Sequence, residues 1–189
     1  MKTPADFYKE YDGKIIDYDG AYGPQCVDGF RVFCKWIGVP SVPTPNNWAD
    51  GYFLEFDKLD FKPYFEKVGR PYQDGDWIVW KRGSASHPSS HIAMFYHGYE
   101  FHHGYEFGEN QGGNGGFCLK STDFSDALGG LRLRRWAHMD GWKKENGDWY
   151  YYVNGEPLTG CFHYCNWKNE FSWYAFDKKG RCCAQIKFY

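Results

Sequence analysis

The chain of 189 residues lacks any apolar run near the roughly 20 residues that cross a bilayer, so no membrane insertion is expected. It also lacks a charge excess. With 22 basic and 24 acidic side chains the net charge is −2, which gives no electrostatic case for nucleic acid or an anionic surface as partner. The opening residues Met1-Lys2-Thr3-Pro4-Ala5-Asp6 hold no apolar segment of the signal-peptide kind. The expected location is therefore the cytoplasm where the chain is made, with release by another route. A dense, even cysteine framework is missing as well. Seven cysteines are odd in number, so at least one thiol stays free within a single chain, unlike a disulfide-stapled secreted domain.

What is abundant is aromatic. Phe, Trp and Tyr make up 22% of the chain, more than a core alone would use, and exposed aromatics mark surfaces that bind sugars or quaternary amines. The length allows one medium domain plus a small appendage. Thr3 and Pro4 open a short helix to Tyr11, ended by Asp12-Gly13. Cys26, Phe30, Phe33 and Ile37 form the stripe of a second helix, with Val27 and Cys34 beside it, and Gly38 and Pro40 stop it. Asn47 is the expected cap of a third helix, Trp48 to Phe56.

Beyond Pro71 the period changes to two. Trp77-Ile78-Val79-Trp80 and His91-Ile92-Ala93-Met94-Phe95-Tyr96 read as strands, Tyr99 to Gly108 as a hairpin turning at His103-Gly104, and Leu131 to Trp136 as a last strand. Helices followed by a run of antiparallel strands predict an α+β fold. After Met139 the composition becomes aromatic, and two Asn-Gly turns (Asn146-Gly147 and Asn154-Gly155) flank the strand Trp149-Tyr150-Tyr151-Tyr152-Val153. A poorer copy runs from Asn166 to Gly180, so a short repeat array is expected over 139–189, behind a first domain of 1–138.

The chemistry concentrates in Asp17-Tyr18-Asp19-Gly20-Ala21-Tyr22-Gly23-Pro24-Gln25-Cys26-Val27-Asp28. Cys26 stands where a loop becomes a helix, and a helix N-terminus favours the nucleophilic thiolate. The same position suits a small core residue equally well. The base for such a thiol is a histidine from another element, and among the 7 histidines His91, at a strand end, is better placed than His102 or His103 at a hairpin tip. Glu109 is the candidate that orients the imidazole, and Gln111 or Asn110 the amide that faces an oxyanion. Asp17, Asp19 and Asp28 offer carboxylates, and Ala21 and Gly23 carbonyls, at alternating places suited to Ca2+. Ala21 stands where an EF-hand needs its third side-chain ligand, so a calcium loop of another shape is expected. Cys161-x-His163-x-Cys165 with Cys182-Cys183 matches no common zinc spacing.

Taken together, Asp17-x-Asp19-Gly20-x-x-Gly23-x-Gln25-Cys26-x-Asp28, Gly75-Asp76-Trp77-Ile78-Val79-Trp80, Ser90-His91-Ile92-Ala93 and Glu109-Asn110-Gln111 resemble the CHAP domain, the cysteine, histidine-dependent amidohydrolase/peptidase. The resemblance covers about residues 1 to 138. It implies a papain-like α+β fold and cleavage of peptidoglycan, with Cys26 as nucleophile, His91 as base and Glu109 as orienter. It also implies Ca2+ held by Asp17, Asp19 and Asp28 with main-chain oxygens of Ala21 and Gly23. Family members often read Glu-Gln-Asn where this chain reads Glu109-Asn110-Gln111, which leaves the amide open between Asn110 and Gln111. The tail resembles choline- or glucan-binding wall repeats, which implies Trp142, Trp149 and Tyr151 as contacts for choline or a wall polysaccharide. The expectation is an endolysin acting on a Gram-positive wall, either as N-acetylmuramoyl-L-alanine amidase or as endopeptidase. A non-catalytic wall-binding module and a small-substrate amidase are the alternatives.

Overall fold

The computed structural model describes residues 2–98, 102–111, 115–134, 141–153, 156–167 and 170–186. The chain divides into two compact units, Lys2–Arg134 and Arg135–Tyr189. The expected boundary at 138/139 lies outside the described residues.

The first unit is α+β. Helix α1 spans Pro4–Tyr11 and is capped at both halves of a capping box: the Thr3 N–H donates to Asp6 Oδ2 at 2.9 Å and the Asp6 N–H to Thr3 Oγ1 at 3.2 Å. Helix α2 spans Cys26–Ile37 and ends at Gly38, whose φ of +75° is left-handed. Helix α3 is only Gly51–Leu54, followed by a 3-10 turn at Phe56–Lys58, shorter than the helix expected over 48–56. Asn47 does not cap it. It takes a φ of +62°, and the Asn46 side chain accepts the Trp48 N–H instead.

Six antiparallel strands follow: β1 (Phe65–Val68), β2 (Trp77–Arg82), β3 (Ser89–Gly98), β4 (His103–Gly108), β5 (Cys118–Asp123) and β6 (Gly129–Leu133). Their order across the sheet is β1-β6-β2-β3-β4-β5. Helix α2 lays Phe30 and Phe33 on Trp77, each with ring centroids 5.1 Å away, and all three are fully buried. Aromatic contacts of this kind stabilise beyond their buried area by about 0.5–1.5 kcal/mol each. Gly29 allows the close approach: a Cβ there would meet the Phe117 ring at 3.3 Å and the Glu109 N at 3.5 Å.

The hairpin expected to turn at His103-Gly104 does not turn there. Both residues belong to β4, with Gly104 opposite Gly98. A Cβ on Gly104 would sit 2.9 Å from the His97 carbonyl oxygen, so this glycine serves strand approach rather than chain reversal. Residues 99–101, 112–114 and 135–140 lie outside the described residues, and with them the glycine-rich Gly112-Gly113-Asn114, Trp136 and His138.

The second unit holds two three-stranded antiparallel sheets, β7-β8-β9 and β10-β11-β12. Strands β7 (Gly141–Glu145) and β8 (Asp148–Val153) meet at Asn146 and Gly147, whose φ values of +50° and +94° are those of a type I′ hairpin turn. The second Asn-Gly, 154–155, lies outside the described residues. Strands β9 (Glu156–Pro157), β10 (Phe162–Trp167), β11 (Glu170–Phe176) and β12 (Cys182–Ile186) complete the unit.

Candidate active site

Cys26 is the first residue of α2. The loop before it is shaped by Gly20, Tyr22 and Gly23, all at positive φ, and by Pro24. The half-buried thiol lines a cavity of about 840 Å³ together with His91, His87, Gln25, Asn110 and Trp48. Burial is the dominant influence on the thiol and pushes it up to about 11, and the Asp28 carboxylate adds to the rise. The backbone N–H groups of Ile92, Val27 and Cys26 pull the other way by favouring the anion at sulfur. Burial outweighs the helix terminus, so the resting sulfur is a neutral thiol rather than the thiolate the sequence position suggests.

Strand β3 passes the sulfur at Ile92 and carries His91 as the preceding residue. The His91 ring is buried and stacks on His87, with centroids 4.2 Å apart and planes within 13°. Trp80 packs on both rings. Burial pushes the imidazole down to about 3, against the partial pull of Glu106 toward the charged form. Base and nucleophile are therefore both neutral at rest.

The carboxylate facing His91 is Glu106 of β4, fully buried, with Oε2 4.0 Å from His91 Nε2 and 3.3 Å from His87 Nε2. Glu109, expected to orient His91, is placed elsewhere. It is buried beside the acidic loop, and its Oε1 accepts the Ile16 N–H at 2.7 Å. Burial first, then the charges of Asp28 and Asp17, push its carboxyl up to about 8. The register and the end of β4 explain the exchange. Glu106 lies opposite Phe95 on the face shared with His91, whereas Glu109 lies past the end of β4, in the bend after Gly108 that turns toward Ile16.

Neither Glu106 nor His87 stood out in the sequence. Choosing Glu106 over Glu109 needs the β3–β4 register, and the His87-x-x-x-His91 spacing on a loop and strand marks no known pattern.

The two candidate amides separate. Asn110 lines the cavity, takes a φ of +56°, and donates to Gln25 Oε1 at 3.4 Å. Gln111 is buried against main chain, donating to the Cys118 carbonyl at 2.8 Å and accepting the Gly108 N–H at 3.3 Å. Gln25 itself is a further amide on the cavity wall, beside the nucleophile.

Asp17, Asp19 and Asp28 bring one carboxylate oxygen each within 4.8 Å of one another. Asp17 accepts the Gly20 N–H and Asp19 the Ala21 N–H, so the loop that carries Ala21 and Gly23 is folded around its own acids. Arg31 pairs with Asp19. Asp28 uses Oδ2 to accept the Gln25 N–H at 2.9 Å, while its Oδ1 is buried without a partner. A buried carboxylate oxygen with no donor, facing two more carboxylates, fits a hard cation.

In the second unit Trp142 and Tyr151 are half-buried and pack on the buried cluster of Cys165, Tyr174 and Phe176. Trp142 meets Tyr174 at 4.8 Å. Among the described residues Trp149, Phe162, Tyr164 and Trp173 are the exposed aromatics of this unit, and Tyr164 and Trp173 are cross-strand partners 5.5 Å apart. Among the described residues Cys161, His163, Cys165, Cys182 and Cys183 do not converge as a metal-ligating group.

No family model matches the chain. Over 127 residues it is 30% identical to a D-alanyl-L-alanine endopeptidase of Streptococcus phage B30. That stretch is 66% of this chain and 28% of the phage protein, so the chain spans less than a third of that relative's length. The crystal structure of the wild-type endolysin LysIME-EF1 is similar with a TM-score of 0.50 and 15% identity, over 83% of this chain and 78% of that one. The likeness is one of fold.

Proposed function

We propose that the chain is a phage-type peptidoglycan hydrolase of the CHAP class that cleaves an amide bond in the wall of a Gram-positive bacterium. One observation carries the reading: Cys26 opens a helix in a cavity it shares with His91, and the strand bearing that histidine touches the sulfur. The phage relative supports it, and its name favours a peptide bond between alanines over the N-acetylmuramoyl-L-alanine bond.

Because both groups are neutral, deprotonation accompanies attack rather than preceding it. Glu106 faces Nε2 of His91, which leaves Nδ1 to exchange a proton with the thiol. As the sulfur bonds to the carbonyl carbon, its proton passes to His91. The developing oxyanion is met by the Cys26 N–H, which has no helical acceptor at the helix start, and by the amide of Gln25 or Asn110. Collapse breaks the C–N bond, and the leaving amine takes the proton from His91. Water, deprotonated by the same imidazole, then hydrolyses the thioester and restores the thiol. Glu106 stabilises the imidazolium that forms at each transfer.

Asp17, Asp19 and Asp28 would hold Ca2+, with carbonyls of Ala21 and Gly23 completing the set by resemblance. The ion would supply rigidity to the loop ahead of Cys26. Asp28 links the two functions through its bond to the Gln25 N–H. In the tail, the exposed Trp149, Phe162, Tyr164 and Trp173 are the aromatic surface suited to a wall polysaccharide or choline. Trp142 and Tyr151 act mainly as its support.

The test is loss of turbidity of Gram-positive cells exposed to the purified chain. Lysis that depends on Cys26 supports the reading. Wall binding without release of new amines would instead identify a binding module.

A further inference from the structure

His87, His91 and Glu106 are more than a base and its orienter. All three are buried, and their donor atoms lie within 4.8 Å of one another. His87 Nε2, His91 Nε2 and both carboxylate oxygens of Glu106 are buried and make no well-formed hydrogen bond, although His87 at 3.3 Å, Lys120 at 3.7 Å and the Thr122 hydroxyl all stand against the carboxylate. Four ligand atoms gathered around one point, with such weak pairing, are costly unless something fills the gap.

We infer that His87, His91 and Glu106 form a site for a divalent transition metal of the Zn2+ class, and that an ion bound there silences the enzyme by capturing His91. The second half rests on the reading of His91 as the base. Two imidazoles and one carboxylate are a donor set that suits Zn2+, Co2+ or Cu2+ and not Ca2+, whose oxygen-only preference sends it to the acidic loop.

The spacing agrees. Tetrahedral bonds of about 2.0–2.1 Å hold donor atoms about 3.3 Å apart. The His87–Glu106 separation is already 3.3 Å, and His91 Nε2, at 4.0 Å, meets the same point when its ring tilts out of its parallel stack on His87, since both lone pairs must aim at one ion. Both histidines line the cavity, which gives the ion an entry path and leaves a coordination position for water.

The surroundings are built to hold the ligands. The His87 N–H donates to Ser84 Oγ at 3.1 Å, Ser84 Oγ donates back to the His87 carbonyl at 2.9 Å, and the Ser90 N–H donates to that carbonyl at 3.1 Å. Ser86, next in the loop, is tied to Asp126. Trp80 walls both rings. The one opposing charge is Lys120, whose Nζ is 3.7 Å from Glu106 Oε1; its side chain is substantially exposed and free to swing into solvent when an ion takes its place.

The experiment uses the full chain with Co2+ and Zn2+ as probes. Cobalt bound by nitrogen and oxygen alone gives visible d–d bands without the near-ultraviolet thiolate charge-transfer band, which separates this site from the cysteines of the tail. The expected result is such a spectrum at one equivalent, at least 10-fold weaker binding in His87→Gln, and unchanged binding in Cys26→Ala. Zn2+ is expected to inhibit wall hydrolysis in proportion to binding. His87→Gln, compared with its own metal-free rate, should need at least 10-fold more Zn2+ for the same inhibition.

Equal binding in wild type and His87→Gln overturns the proposal. So does binding lost in Cys26→Ala, which would place the ion between the sulfur and His91. Binding as expected, in a chain that hydrolyses no wall even without metal, supports the site and refutes the function.

Discussion

Glu109→Gln tests the electrostatics around the acidic loop most sharply. Glu109 is buried, close enough to Asp28 and Asp17 to feel their charges, and pushed up from 4.5 to about 8. Between those values the folded carboxyl holds a proton that the unfolded chain releases. The sign follows: stability contributed by the neutral acid is complete below pH 4.5 and is lost as pH rises through about 8. At about 1.4 kcal/mol per pH unit, wild type should lose up to about 4 kcal/mol between pH 5 and 8 through this group alone. For a domain of this size that is a fall in Tm of roughly 10 °C.

Glutamine keeps an oxygen for the Ile16 N–H but cannot ionise. It leaves an amide where Oε2 is buried without a partner, a cost that is the same at every pH. The assay is a series of thermal melts from pH 5 to 8 in EGTA, so that Asp17 and Asp28 keep their uncompensated charge. The variant should lie below wild type at pH 5 and show a shallower slope. Parallel slopes would refute the assignment of the raised group to Glu109.

Asp28→Ala removes the acceptor of the Gln25 N–H and should cost about 1 kcal/mol of stability. It should also lower the turnover number with less effect on KM, because Asp28 positions the helix start and performs no chemistry; a normal turnover number contradicts that role. Exhaustive EGTA treatment should abolish lysis and Ca2+ restore it, with calorimetric Ca2+ binding lost in Asp17→Ala; full activity without the ion removes calcium from the account. In the second unit, Trp142→Ala should destabilise the fold by roughly 3 kcal/mol, because its ring packs on Tyr174 and Phe176. Trp173→Ala should leave the melt unchanged and weaken binding to purified walls, and the opposite pattern would exchange the two roles.

The helix and strand pattern was legible where a single period dominates. The stripe Phe30, Phe33, Ile37 gives α2 because one helix face is buried, and the continuous apolar run Trp77 to Trp80 gives β2 because both faces of that strand are buried. Positive φ at Asn146 and Gly147 follows directly from the turn chemistry of Asn-Gly. The site was less legible because it depends on register. Glu106 lies within β4 and Glu109 just past its end, and only the pairing of Phe95 with Glu106 says which faces His91. Gly104 looked like a turn residue because a glycine needed for close approach has the same letter as one needed for positive φ. His87 enters through a loop fold set by Ser84 and Ser86, which no local pattern encodes. The state of the thiol was legible only in part: a helix terminus is visible in sequence, and the burial that outweighs it is not.

The central claim is that the Cys26 sulfur breaks an amide bond of the cell wall. Mass spectrometry of Gram-positive peptidoglycan digested with wild type and with Cys26→Ala tests it most directly. The account predicts fragments with new amino termini at one bond type from wild type and none from the variant. The same fragments released by Cys26→Ala would contradict it.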